Sequence, residues 1–110
     1  MADTNVNGAS NDTTDVTIVS APGASTTRMI PRYGISIYNA DTAEATIYLQ
    51  LKDDTTDRII EKSILQPGET YFNTSFISLS AGTQSLEFYL GAAVTTNQLP
   101  FVGKYREESQ

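Results

Sequence analysis

Cysteine, histidine and tryptophan are all missing from this sequence. Without Cys or His there are no disulfides, no thiol nucleophiles, none of the usual zinc ligands and no imidazole base, which excludes most acyl-transfer and metal-centred chemistry. Basic residues are scarce: 7 Lys and Arg stand against 13 Asp and Glu in 110 residues, for a formal net charge of −6. Phosphate binding needs clustered Lys and Arg, and the seven present are scattered, so direct contact with nucleic acid is not expected. Long apolar runs are missing too. No stretch approaches the roughly 20 apolar residues of a membrane span, and the polar start lacks the basic end and apolar run of a secretion signal. No membrane partner is expected, and synthesis in a cytoplasm is. Gly-rich phosphate loops and the Gly-x-Ser-x-Gly elbow are absent. The expectation is a non-enzyme with no catalytic residue, cofactor or metal.

What is present favours strands. Fifteen Thr, ten Ser, six Tyr and four Phe suit a pleated, half-buried surface. The length leaves room for one domain, and 39% hydrophobic residues suffice for a thin core that assembly with other chains would support. Residues 1–14 hold only Met1, Ala2, Val6 and Ala9 as apolar members and read as a flexible polar arm. Residues 15–106 form the domain, and 107–110 read as a solvated tail.

Within the domain, Val16-Thr17-Ile18-Val19 is a first strand, closed by a turn at Pro22-Gly23. A second runs through residues 28–39, interrupted at Pro31 and Gly34 as an edge or bulge would be. Ala45, Ile47, Leu49 and Leu51 alternate with Thr46, Tyr48 and Gln50, the clearest half-buried strand, and Leu86, Phe88 and Leu90 repeat the pattern; the two sets predict one shared core. Between them, residues 58–65 carry Ile59, Ile60, Ile64 and Leu65 on both parities, so either both faces are covered or a bulge shifts the phase. Pro67-Gly68 predicts a type II turn and residues 99–105 a last strand. About eight short strands predict an all-β, antiparallel two-layer sandwich, jelly-roll-like, with an immunoglobulin-like sandwich as the alternative.

Chemistry-bearing clusters are weak. Asp53, Asp54 and Asp57 share a loop, but Asp and Thr are ordinary turn formers and the spacing is not that of a calcium loop. Tyr38, Tyr48 and Tyr89 fall on the polar parity of their strands, where tyrosine suits an interface, a sugar or cross-strand packing. Arg28, Arg32 and Arg58 join them as candidate partner contacts, because Arg is favoured at interfaces.

The block Arg32-Tyr33-Gly34-Ile35-Ser36-Ile37-Tyr38-Asn39-Ala40-Asp41, followed by Thr56-Asp57-Arg58-Ile59-Ile60-Glu61-Lys62 and Gln66-Pro67-Gly68-Glu69, resembles small virion proteins of tailed double-stranded DNA bacteriophages. Among these are capsid decoration proteins, also called cement or staple proteins. The resemblance implies a β-sandwich that binds the major capsid protein on the outer capsid surface of the virion, stabilises the shell and contacts other copies of itself as a dimer or trimer. It also implies synthesis in a bacterial host cytoplasm. Similar sandwiches in phage tails leave a tail-associated carbohydrate- or receptor-binding module as the alternative.

Overall fold

The period-two segments fold as antiparallel strands in a computed structural model that describes residues 3–80 and 82–109. In chain order the strands are β1 (Thr4–Ser10), β2 (Val16–Val19), β3 (Thr26–Ile30), β4 (Ile35–Tyr38), β5 (Ala45–Asp53), β6 (Thr56–Leu65), β7 (Thr70–Phe72), β8 (Ile77–Leu79), β9 (Gln84–Leu90) and β10 (Leu99–Ser109). One sheet runs β2-β9-β5-β6. The other runs β7-β4-β10-β3-β8, with β1 also paired to β10. Residues 101–103 of β10 are paired on both edges, to β1 and to β4. With β3 and β8 set aside, the orders β1-β10-β4-β7 and β2-β9-β5-β6 are those of a jelly roll, whose first and last strands are neighbours.

The core lies between the sheets. Ile47, Leu49, Leu86, Phe88 and Leu90 face Ile35, Ile37, Leu99 and Phe101, and all are buried. Phe88 meets Phe101 edge-on across the layers, with ring centroids 5.5 Å apart, a favoured aromatic geometry. Leu51, expected in the core, is only partly buried against it, because it lies near the hairpin end of β5.

Three expectations need correction. Residues 1–14 are not an arm throughout: Thr4–Ser10 pairs with β10 from Tyr105 to Leu99. Polar residues suffice there because the pairing is supplied by the backbone, and Gly8 lies so close over Phe101 that a Cβ would stand 2.6 Å from its ring. Met1 and Ala2 lie outside the described residues. Residues 107–109 are not a tail either: Glu107, Glu108 and Ser109 pair with Arg28, Thr27 and Thr26 of β3. Finally, the strand expected over residues 28–39 is two strands, β3 and β4, both in the β10 sheet but on different stretches of β10. Pro31 lacks the N–H a continuous ladder would need, and the chain turns there through Gly34 N–H to Pro31 C=O at 2.9 Å.

The ambiguous β6 is resolved by a bulge. Leu49 opposes Glu61 and Gln50 opposes Ile59, leaving Ile60 without a partner on β5. The turn at residues 66–69 has Gly68 at φ 87° and Glu69 N–H bonded to Gln66 C=O at 3.0 Å, the backbone that a type II turn requires of glycine.

Candidate interaction surfaces

Three buried polar side chains set the ends of the sandwich. Asn39, fully buried, donates through Nδ2 to the Ala43 and Leu65 carbonyls at 3.0 and 2.9 Å and accepts from Asp41 N–H at 3.0 Å. Asp41 then accepts the backbone N–H groups of Thr42, Thr95, Thr96 and Asn97 at 2.8 to 3.1 Å, which ties residues 91–98 to the turn after β4. Those bonds, Thr95's foremost, outweigh burial and hold the Asp41 carboxyl down at about 2. Asn73 accepts from Ile35 N–H at 2.8 Å and donates to the Pro31 and Ser75 carbonyls at 3.0 Å each. These residues leave few spare bonding positions for a ligand. The Asn-Ala-Asp block is therefore fold chemistry.

Asn73 also fixes, through its backbone carbonyl, the segment that carries the exposed Tyr33 ring. Its carbonyl accepts Tyr33 N–H at 2.9 Å, and Tyr33 adopts φ 63°, a conformation uncommon for a bulky side chain. Tyr33 stands beside the outer face of the β1-β10-β4-β7 sheet. Across that face Phe72, Ser36, Val102 and Asn7 oppose one another in a row over four strands. Tyr33, Phe72 and Val102 are 57%, 47% and 56% exposed, and with Asn5, Asn7 and Lys104 they line a shallow depression of about 430 Å³. Tyr38 extends the face two residues beyond Ser36 on β4 and is exposed. The face has an apolar centre and a polar rim, the anatomy of a protein contact surface.

The outer face of the other sheet is different. Tyr48 and Tyr89 are directly opposed and stack at 4.9 Å with their planes 13° apart, while the Lys62 ammonium lies 5.7 Å from the Tyr48 ring centre. In the adjacent row Glu87 accepts from Thr17 Oγ1 at 3.4 Å and from Gln50 Nε2 at 3.2 Å. The ring faces are thus used on one another and on Lys62. Gln50 and Glu87 are buried.

The arginines are not brought together. Arg28 donates to Glu107 at 2.7 Å and to Ser20, and its guanidinium lies 4.7 Å from the Tyr105 ring centre, so it clasps β3 to β10. Arg32 lies over the Tyr33 ring at 5.0 Å, beside the apolar face. Arg58 is exposed on β6, opposite Leu51. Asp53 and Asp54 sit at the β5–β6 hairpin, where Asp54 has φ 59° and Asp53 accepts from Gln84 at 3.3 Å. Among the described residues no three His, Cys, Asp or Glu side chains converge as a metal site would require.

Sequence reasoning overlooked Phe72 and Val102. Each sits on the outward parity of a short or late strand, and the Ser36 between them reads as an ordinary polar position, so only the register unites them.

No protein-family model matches the chain, and no curated protein matches it. Among solved structures it is similar to a subunit of Bacillus endospore appendages, which form disulfide-linked pili, at TM-score 0.52 and 9% identity over 98% of this chain and 85% of that one. Weaker likenesses are to a Clostridium thermocellum xylanase comprising carbohydrate-binding and catalytic modules, at TM-score 0.45 and 10% identity over 96% of this chain and 26% of that one, and to PirA, at TM-score 0.40 and 16% identity over 94% and 91%. At such identities the first likeness speaks to the β-sandwich fold alone.

Proposed function

We propose that this chain is a non-enzymatic structural protein of a bacteriophage virion, a capsid decoration protein that binds the outer surface of the major capsid protein shell and stabilises it. The observation that carries the reading is the Tyr33, Phe72 and Val102 face, an exposed apolar patch with a polar rim on a rigid sheet. Such patches mark contact surfaces. The phage-like block over residues 32–70 supplies the partner, and Arg32 and Tyr38 border the face. The structurally similar Bacillus appendages form disulfide-linked pili; this sequence has no cysteine for such a link.

The alternative, a tail-associated carbohydrate- or receptor-binding module, calls for an open aromatic platform beside carboxylate or amide groups. Tyr48 and Tyr89 have the neighbours but are closed on each other, whereas the open Tyr33 and Phe72 rings stand beside the amides of Asn5 and Asn7, so the Phe72 face is the surface that either reading would use. The test is co-sedimentation with undecorated phage heads. Wild-type protein should sediment with heads, and Phe72→Asp or Val102→Asp, both at exposed positions, should weaken binding at least about tenfold, as loss of a central apolar contact does. No sedimentation of the wild type, together with binding to host glycans, would overturn the reading.

A further inference from the structure

Strand β6 is ten residues long, ends its sheet and pairs only with β5 among the described residues. Its free edge carries Ile59, Ile60 and Ile64 at 52%, 38% and 54% exposure. A long edge with exposed apolar side chains is a template for another strand. We propose that it pairs antiparallel with β6 of a second copy of this chain, about a two-fold axis running between Ile59 and Ile60.

The charge order selects this register. The segment reads Asp57-Arg58-Ile59-Ile60-Glu61-Lys62. About the axis named, Asp57 of one copy opposes Lys62 of the other, Arg58 opposes Glu61, and the isoleucines occupy the centre. Every charge meets its opposite, twice over by symmetry.

The bulge makes the register possible. Directly opposed residues must point to the same face of the joined sheet, and in a regular strand positions 57 and 62, five apart, point to opposite faces. Here Asp57 opposes Lys52 and Lys62 opposes Tyr48, which share a face of β5, while Arg58 opposes Leu51 and Glu61 opposes Leu49, which share the other. The unpartnered Ile60 supplies the one-residue shift that puts Asp57 with Lys62 and Arg58 with Glu61. Glu61 also accepts from Thr74 N–H and Oγ1 at 3.3 Å each, which ties its carboxylate to the segment after β7. This pairing stands apart from the capsid reading and uses none of the Phe72 face.

Two experiments on the full chain test it. By light scattering during size exclusion, the wild type should have twice the monomer mass; Asp57→Lys or Lys62→Asp, which each create like-charge oppositions, should raise the dissociation constant at least about tenfold, and the double exchange should restore it. In addition, the double variant Asp57→Cys, Lys62→Cys should form a covalent dimer on mild oxidation, because the two sites lie about 16 Å apart within one strand, too far for an internal disulfide. A monomer at every concentration overturns the proposal. So does a dimer that is indifferent to the charge exchange and does not cross-link through positions 57 and 62.

Discussion

Asp41 joins two segments far apart in sequence through four backbone N–H groups, and each of those bonds favours the ionised carboxylate. Its folded pKa, about 2, lies below the ordinary 3.8, so its contribution to stability is full above the ordinary value and is lost as pH falls through the folded one. Asp41→Asn should lower the thermal midpoint at neutral pH, and the gap to the wild type should narrow as the scan is repeated from pH 5 down to pH 2. A gap independent of pH would mean that the bonds do not depend on charge. Asn73 makes three side-chain bonds at a buried site. Asn73→Ala leaves Ile35 N–H without its partner and removes a bond from each of the Pro31 and Ser75 carbonyls, and at about 1 kcal/mol per bond plus the cost of an orphaned N–H it should cost roughly 3 kcal/mol or more in denaturant titration. Phe88→Ala, which empties a fully buried site against Phe101, should cost about 3 to 5 kcal/mol.

Among the strands, β1 changes the expectation for truncation. A polar, aperiodic segment suggests an arm whose removal leaves the fold intact, yet seven residues of β1 pair with β10, and Gly8 covers Phe101. Deleting residues 1–10 should therefore lower the thermal midpoint and expose Phe101, read as increased binding of an apolar dye; an unchanged midpoint would show that β1 adds nothing to the sandwich. The strands that proved legible, β5 and β9, are those with one face on the core and one outside, because burial then imposes a period of two on the side chains. Strand β1 was illegible because it is held by backbone bonds and by the absence of a Cβ at Gly8, and neither leaves an apolar pattern. The end of β10 was missed for a similar reason: Arg28 and Glu107 tie β3 to β10 by charge. Candidate surfaces were legible only in part. Tyr38 and Tyr48 announce themselves by parity, whereas Phe72 and Val102 become neighbours only through the Ser36 row.

At the scale of the whole molecule, the two proposed surfaces lie on different sheets. Phe72 and Val102 stand on the outer face of the β1-β10-β4-β7 sheet, and the free edge of β6 belongs to the sheet packed against it. A two-fold axis normal to the β6 sheet leaves the second sheet of each copy on the same side of the joined pair. Both Phe72 faces then point the same way. Such a pair can engage one extended surface at two points, and the second engagement is intramolecular, so avidity on a repetitive shell can exceed the single-site affinity by about 10² or more without a new contact. On the proposed capsid reading, Lys62→Asp should consequently weaken attachment to undecorated heads even though it leaves the Phe72 face intact, and the exchange with Asp57→Lys should restore it. Because a ligand that binds only the assembled shell stabilises that shell by mass action, heads carrying the wild type or the exchanged variant should release DNA at a higher temperature than bare heads. Heads offered Lys62→Asp at the same concentration should fall between. Equal release temperatures for all three variants would show that each copy binds alone and that bivalence plays no part in reinforcement.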